Sequence, residues 1–243
     1  MQEKITVITI GDYQNSTLEN YFKDNENIEF LELVLNESIE KLNNKLSNRD
    51  VVFLRSKEDN LEKLLEVGKV LKEKEIITVT IFEEKVISEN KEDLEKSFNT
   101  IFPITKKDDI ENLLLELLIT INNIVFEICF INLDIEDIKN IFKDSGIAIF
   151  GTLNKNKNKK NSEEELIKNI NYPFYNKTLK DSKKLLIHLD TLEDVGLAES
   201  QVFTDILRNE SGKNIEDIMF STRVDNNLKN RIECSFIAGK FRK

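Results

Sequence analysis

The residues whose types and spacing could do chemistry are Asn132, Asp134 and Asp137, three polar side chains within six positions at the end of an apolar run. A helix-period segment follows them. Two carboxylates three apart at the start of a helix lie on one face of its first turn. One chemistry open to such a pair is outward, namely orienting and polarising a water at something bound there. The other is local, with Asp134 capping the helix and Asp137 completing a capping-box-like pair. The residue types leave both open. The segment then passes through Ser145-Gly146 into a short apolar strand ending at Gly151.

Other candidate groups are few. The single histidine, His188, lies in the apolar run Leu185 to Leu189, which predicts a strand residue rather than a member of a triad or zinc centre. Cys129 and Cys234 also sit in apolar runs and read as buried thiols, with neither a disulfide framework nor a metal site. A net charge of -10 and a pI near 4.9 argue against a nucleic-acid binder or a basic membrane-surface protein. The longest apolar region, Leu113 to Ile131, contains Glu116, Asn122, Asn123 and Glu127, which are costly in lipid and predict a buried central helix instead. A strand follows the first four residues with no secretory pattern between, so a cytoplasmic location is expected.

The elements that must position the acidic pair can be read from periodicity. Strands are predicted over Ile5-Ile10, Ile28-Val34, Val51-Leu54 and Ile76-Phe82, with helices from Thr17, over Ser38-Leu46 and over Leu61-Leu71. This alternation predicts an α/β domain, a parallel sheet with helices on both faces in the Rossmann manner. Val86 to Asn99 reads as a loop with a short helix, and Thr100-Ile104, carrying Pro103, as an edge strand or its end. A long helix is predicted from about Asp108 to Glu127. The lysine- and asparagine-rich tract Asn154 to Asn161 reads as a surface loop, and Ser162 to Asn171 as a helix opened by Ser-Glu-Glu-Glu. Strands over Lys184-Asp190, Ile218-Val224 and Arg231-Ile237, with a helix near Leu197-Arg208, make the second half α+β. The expected division is a Rossmann-like domain over 1-107, a central helix over 108-131, and a loop-bearing α+β domain over 132-243.

With the elements in this order, several local strings resemble FtsZ, the bacterial relative of tubulin. Asn132-Leu-Asp134-Ile-Glu-Asp137-Ile-Lys is similar to the family's catalytic loop Asn-Leu-Asp-Phe-Ala-Asp-Val-Lys, and follows a long central helix as in the family. Lys143-Asp144-Ser145-Gly146-Ile-Ala-Ile-Phe-Gly151 resembles Ser-Asp-Ala-Gly-Thr-Ala-Leu-Met-Gly. Asp194-Val195-Gly196-Leu197 resembles Asp-Leu-Gly-Leu, and the closing Arg231 to Phe241 resembles the family's last strand.

The resemblance implies a tubulin/FtsZ-like fold, GTP or GDP as the ligand, no metal site in the chain itself, and a filament as the assembly. It further implies that Asn132, Asp134 and Asp137 act on the nucleotide of the next subunit. The nucleotide-binding positions it implies are Gly11 and Asn15 after the first strand, Arg55, Ser56 and Lys57 after the third, and Asn112 where the family has a guanine-reading carboxylate. These positions depart from the family pattern. Only Gly11 and Asn15 survive of the first glycine cluster, and Arg55 to Asn60 contains no glycine where the phosphate loop should stand. Glycines let backbone N–H groups turn inward on a phosphate, and an amide cannot accept both guanine donors as a carboxylate does. Asp12, Glu58 and Asp59 add like charge; a carboxylate about 4 Å from a phosphate repels it by roughly 4 kcal/mol at an effective dielectric near 20.

The expectation is therefore a divergent FtsZ-like cytoskeletal protein of bacterial cell division, a pseudo-GTPase in cis. It would associate with itself or with a standard FtsZ, without direct membrane contact, since the FtsZ tail that recruits anchors has no counterpart before Lys243. Two alternatives stand beside it. One is a self-polymerising GTPase with an atypical phosphate loop. The other is an unrelated Rossmann-type small-molecule binder, although the first strand ends in a lone glycine rather than a Gly-x-Gly-x-x-Gly fingerprint.

Overall fold

The computed structural model describes residues 4–11, 16–35, 49–56, 60–107 and 109–241. Strand β1 (Ile5–Ile10) is buried along its whole length, as a β-branched run covered on both faces must be. It lies between β2 (Ile28–Leu33) and β3 (Val51–Ser56), parallel to both. Strands β4 (Ile77–Glu83) and β5 (Thr100–Ile104) extend the parallel sheet. Helix α1 (Ser16–Tyr21) follows β1, and α2 (Leu61–Glu73) follows β3. The helix predicted over Ser38-Leu46 lies outside the described residues.

The segment after β4, predicted as a loop with one short helix, holds two, α3 (Glu84–Glu89) and α4 (Lys91–Ser97). They bury Ile87 and Leu94 against the α2 side of the sheet, and one apolar anchor per helix is too weak a periodic signal to read in a polar sequence. Strand β5 is not an edge. It pairs with β6 (Gly146–Asn156), although only through Thr100 and Ile101, so Pro103 stands beyond that short ladder while still aligned with Phe82 of β4. This two-residue junction joins the parallel half to β10 (Arg231–Gly239), β8 (Lys184–Thr191) and β9 (Asp217–Val224). The full order is β2-β1-β3-β4-β5-β6-β10-β8-β9, with β7 (Ile170–Asn171) pairing with β6 as the tenth described strand. β6–β10, β10–β8 and β6–β7 are antiparallel, and the remaining pairs are parallel.

Between the two halves runs α5 (Asp109–Val125). Its Leu113, Leu114, Leu117, Leu118, Ile121 and Ile124 are buried in one cluster with Val7 and Phe53 on one side and Phe150, Leu186 and Ile237 on the other. A helix apolar around this much of its circumference must be buried between layers. The chain then forms α6 (Ile135–Phe142), and later α7 (Glu163–Lys168) and α8 (Leu197–Ser211) on the outer face of the second half. The tract from Asn154 is strand as far as Asn156, held by the β10 ladder, with Lys155 paired to Glu199 and Lys157 to Asp194. The helix expected to reach Asn171 ends at Lys168, because Ile170 and Asn171 turn back to pair with β6. Among the described residues no helix is long and apolar enough to cross a membrane.

Candidate functional site

The order β2-β1-β3 contains a reversal. The chain leaves β1 for a strand on one side and β3 lies on the other, so a crevice opens at the carboxyl ends of β1 and β3, where α/β sheets bind ligands. Gly11 ends β1 with φ +82°, a backbone state that glycine adopts without cost. Its open side faces Asn60, whose Nδ2 would stand 2.8 Å from a Cβ built on Gly11. Arg55, near the end of β3, is buried; its Nε donates to Thr9 Oγ1 at 3.0 Å and its guanidinium pairs with Glu111 in the first turn of α5. The guanidinium charge is thus met by a carboxylate of the same chain. Asn112 lies one residue on, on the exposed side of α5. Ser56 ends β3 at the crevice, whereas Asn15 and Lys57 lie outside the described residues.

The acidic pair lies at the other end of the molecule. Strands β1 to β5 run up to the crevice and α5 runs back down, so its 17 residues carry the chain about 25 Å to the amino ends of the strands. Two contacts fix that placement. Asn25, just before β2, donates to Asn122 Oδ1 at 2.7 Å, and Lys139 Nζ lies 3.7 Å from Asp50, just before β3.

There Asp134 is the N-cap of α6. Its Oδ1 accepts from the Asp137 N–H at 3.0 Å, and Asp137 Oδ2 accepts from the Asp134 N–H at 3.0 Å, a complete reciprocal box. The local chemistry is therefore present, and it leaves the Asp134 side chain exposed and Asp137 partly exposed. Asn132 is exposed as well, with its Oδ1 accepting from the Cys129 N–H at 3.1 Å, which closes the loop on itself.

The far end of α6 is also held. Lys184, buried at the start of β8, donates to the carbonyls of Asn140 and Lys143, both at 2.6 Å, satisfying acceptors the helix leaves open. Burial, and then the charge of Lys240, push the Lys184 ammonium below the usual lysine range. The stem of the loop is pinned to β9, where Phe130 N–H donates to the Thr222 carbonyl at 2.8 Å and Ile131 bridges Thr222. Beneath it, His188 Nδ1 lies 3.3 Å from Ser221 Oγ and His188 Nε2 3.4 Å from Asp190, which Arg223 also contacts at 2.7 Å. His188 is, as its sequence context predicts, a buried strand residue.

Periodicity did not single out Ile128 or Phe130, which are 93% and 74% exposed beside Asn132. The apolar run that ends there reads as core, yet its last residues project. Cys129 between them is half-buried rather than buried, and burial raises its thiol above the ordinary range. Glu111 was likewise missed, because the resemblance pointed one position further along the helix.

No family model matches the sequence, nor does any curated protein match it significantly. Solved structures do match it in three dimensions. A tryptophan-to-tyrosine variant of FtsZ from M. jannaschii superposes with a TM-score of 0.78 at 16% identity, over 99% of this chain and 92% of that one. The fold is that of FtsZ. An empty FtsZ dimer of M. jannaschii matches with a TM-score of 0.71 at 16% identity, over 98% of this chain and 88% of that one. A GTPγS-form protofilament of TubZ from Bacillus thuringiensis serovar israelensis matches at 0.68 and 9% identity, over 100% and 88%. The long central helix α5 joins the two halves within that fold, so the fold is not that of an unrelated Rossmann-type protein. Its crevice is a different matter. Among the described residues, Arg55 is engaged by Glu111 and Thr9, and Asn60 stands over Gly11.

Proposed function

We propose that this chain is a divergent FtsZ-like filament subunit of bacterial cell division, with its own GTP binding weakened or lost. Its Asn132–Asp137 loop serves the crevice of a neighbouring subunit. The observation that carries this reading is the separation of loop and crevice by the length of α5. No one molecule can bring the carboxylates to its own crevice, whereas head-to-tail stacking brings every loop to the next crevice. Exposed apolar side chains at both ends support the stacking. Ile128 and Phe130 flank the loop, and Val34 and Leu35, 68% and 43% exposed, stand beside Gly11 at the crevice. The matched structures include an FtsZ dimer and TubZ protofilaments.

In this reading Asp134 and Asp137 present exposed carboxylate oxygens, held rigid by the capping box, that orient an attacking water in the neighbour's site. Asn132 keeps the loop closed. The Arg55–Glu111 pair explains the weakened crevice: an incoming phosphate must compete with a carboxylate already paired to that guanidinium. The work is placed in the cytoplasm, with self-association or pairing with a standard FtsZ as the assembly.

Calorimetric titration with GTP, followed by GTP turnover in mixtures with a glycine-rich FtsZ, tests the reading. The expected result is no saturable micromolar binding by this chain alone and altered turnover by the partner. Saturable micromolar GTP binding would overturn it in favour of a self-polymerising GTPase with an atypical phosphate loop at Arg55, Ser56 and Lys57. The positive φ of Gly11 at the sheet's reversal point is the feature that favours that second reading.

A further inference from the structure

Helix α6 carries Asp134 at its first end and is gripped at its last by side chains from both halves of the molecule. A helix leaves its final four carbonyls without partners inside itself. Here those of Asn140 and Lys143 accept from Lys184 Nζ, both at 2.6 Å, and that of Phe142 accepts from Thr100 Oγ1, also at 2.6 Å. The Ile141 carbonyl accepts from Ser145 Oγ. Lys184 opens β8 in the second half and is buried, whereas Thr100 opens β5 in the first. An ammonium at this position also meets the negative end of the helix dipole.

The two halves hold α6 in different ways. Its apolar face is buried, and the Phe142 ring stands edge-on to Phe53 of β3 and Phe102 of β5 in the first half, at 6.1 and 6.2 Å. Apolar packing is non-directional and lets a short helix tilt. The second half holds the same segment by directed bonds at both ends, at the loop stem through Thr222 and at the last turn through Lys184. The eight residues of α6 make a rod about 12 Å long. When such a rod tilts about its buried middle, a shift of about 1 Å at the Lys184 end moves the Asp134 end by about as much.

We propose that Lys184 is a positioning residue: by holding the last turn of α6 to β8, it sets the direction in which Asp134 and Asp137 are presented to a neighbouring subunit. The inference rests on the trans role proposed for those carboxylates, and names the residue through which the second half controls them. Lys184 acts through the helix, from the end opposite the capping box. Removing its ammonium does not strand the two carbonyls, because Asn140, Lys143 and Lys184 line a groove that water can enter. Lys184→Met keeps the long apolar stem, so the fold is expected to persist while the directed hold is lost.

Residual dipolar couplings of the α6 amides, referred to those of β8 and β10, read the orientation of the helix in the full chain by itself. Lys184→Met should change them, and Lys184→Arg, which keeps the charge and the donors, should restore the parent values. Lys183→Met, which removes the neighbouring exposed pair with Glu216, should leave them unchanged. Thermal melting verifies that each variant folds. In mixtures with a glycine-rich FtsZ, the change in GTP turnover that the chain causes at saturation should shrink roughly ten- to a hundredfold in Lys184→Met, the scale of a misplacement of about 1 Å. The concentration giving half that effect should stay at the parent's, since Ile128 and Phe130 are untouched. Parent-like couplings in Lys184→Met overturn the proposal. So does a parent-like effect of Lys184→Met on turnover where Asp134→Asn abolishes it. Couplings that move while neither variant alters turnover overturn the trans role of the loop instead, and leave Lys184 as the residue that orients α6. In the parent, an ammonium held by two carbonyls exchanges its protons slowly enough for its Nζ–H signal to be seen, and absence of that signal overturns the contact itself.

Discussion

At the scale of single residues, capping and chemistry in trans make separable demands on Asp134. A cap needs a side-chain oxygen, which asparagine supplies as well as aspartate, whereas orienting water at a phosphoryl group needs the charge. Asp134→Ala should cost about 1 kcal/mol of stability in urea melts, and Asp134→Asn close to nothing. Turnover by a mixed FtsZ partner should fall with both. If Asp134→Asn leaves turnover intact, the carboxylate is a cap and nothing more. A second residue-scale expectation concerns Asp190. Burial pushes its carboxyl up, but His188 and then Arg223 outweigh this, and the net displacement is downward. A carboxyl depressed in the folded state adds stability above its unfolded value, which is lost as pH falls through the folded one. Arg223→Met should therefore move the onset of acid unfolding to higher pH, followed by circular dichroism from neutral pH downward. Both carboxylates of the capping box were legible because their spacing is local. The Arg55–Glu111 pair was not, since it joins residues 56 positions apart and no spacing rule reaches that far.

Among the elements, legibility followed burial. The fully buried β1 carries an unbroken β-branched run, and its predicted bounds are those of the strand. The buried α5 was predicted to within two residues at its second end, because its apolar residues recur around most of the helix. Where an element touches the core at one point, as α3 does through Ile87, composition outweighs periodicity and reads as loop. The edge position predicted for β5 failed for another reason. Pro103 removes one donor, but the pairing with β6 ends two residues before it, so the proline does no harm inside the sheet. Strand β6 shows the converse, a glycine demanded by packing. A Cβ on Gly151 would lie 2.2 Å from the ring of Phe236, which is fully buried opposite it on β10 and has nowhere to move. Gly151→Ala should destabilise by about 1–3 kcal/mol, the range for overpacked cores, and a combined Gly151→Ala/Phe236→Leu should recover part of the loss. Equilibrium unfolding of the two variants measures it, and additive losses would mean that the ring and the glycine do not meet.

For the molecule as a whole, the placement of exposed apolar groups at opposite ends makes a prediction that a symmetric dimer does not. If Ile128 and Phe130 of one copy meet Val34 and Leu35 of the next, each molecule has one donor end and one acceptor end, and association continues without closing. Phe130→Glu disables the first end and Val34→Glu the second, while each variant keeps its other end. Neither variant should then self-associate in sedimentation at concentrations where the parent does. Mixed in equal amounts they should form one-to-one pairs through the Phe130 end of the Val34→Glu chain and the Val34 end of the Phe130→Glu chain, and grow no further. An interface that pairs like with like gives a different result, because a variant damaged at the shared patch cannot be rescued by one damaged elsewhere. Restoration of pairing without growth is thus specific to head-to-tail contact. It is also the arrangement in which a loop about 25 Å from its own crevice comes within reach of another.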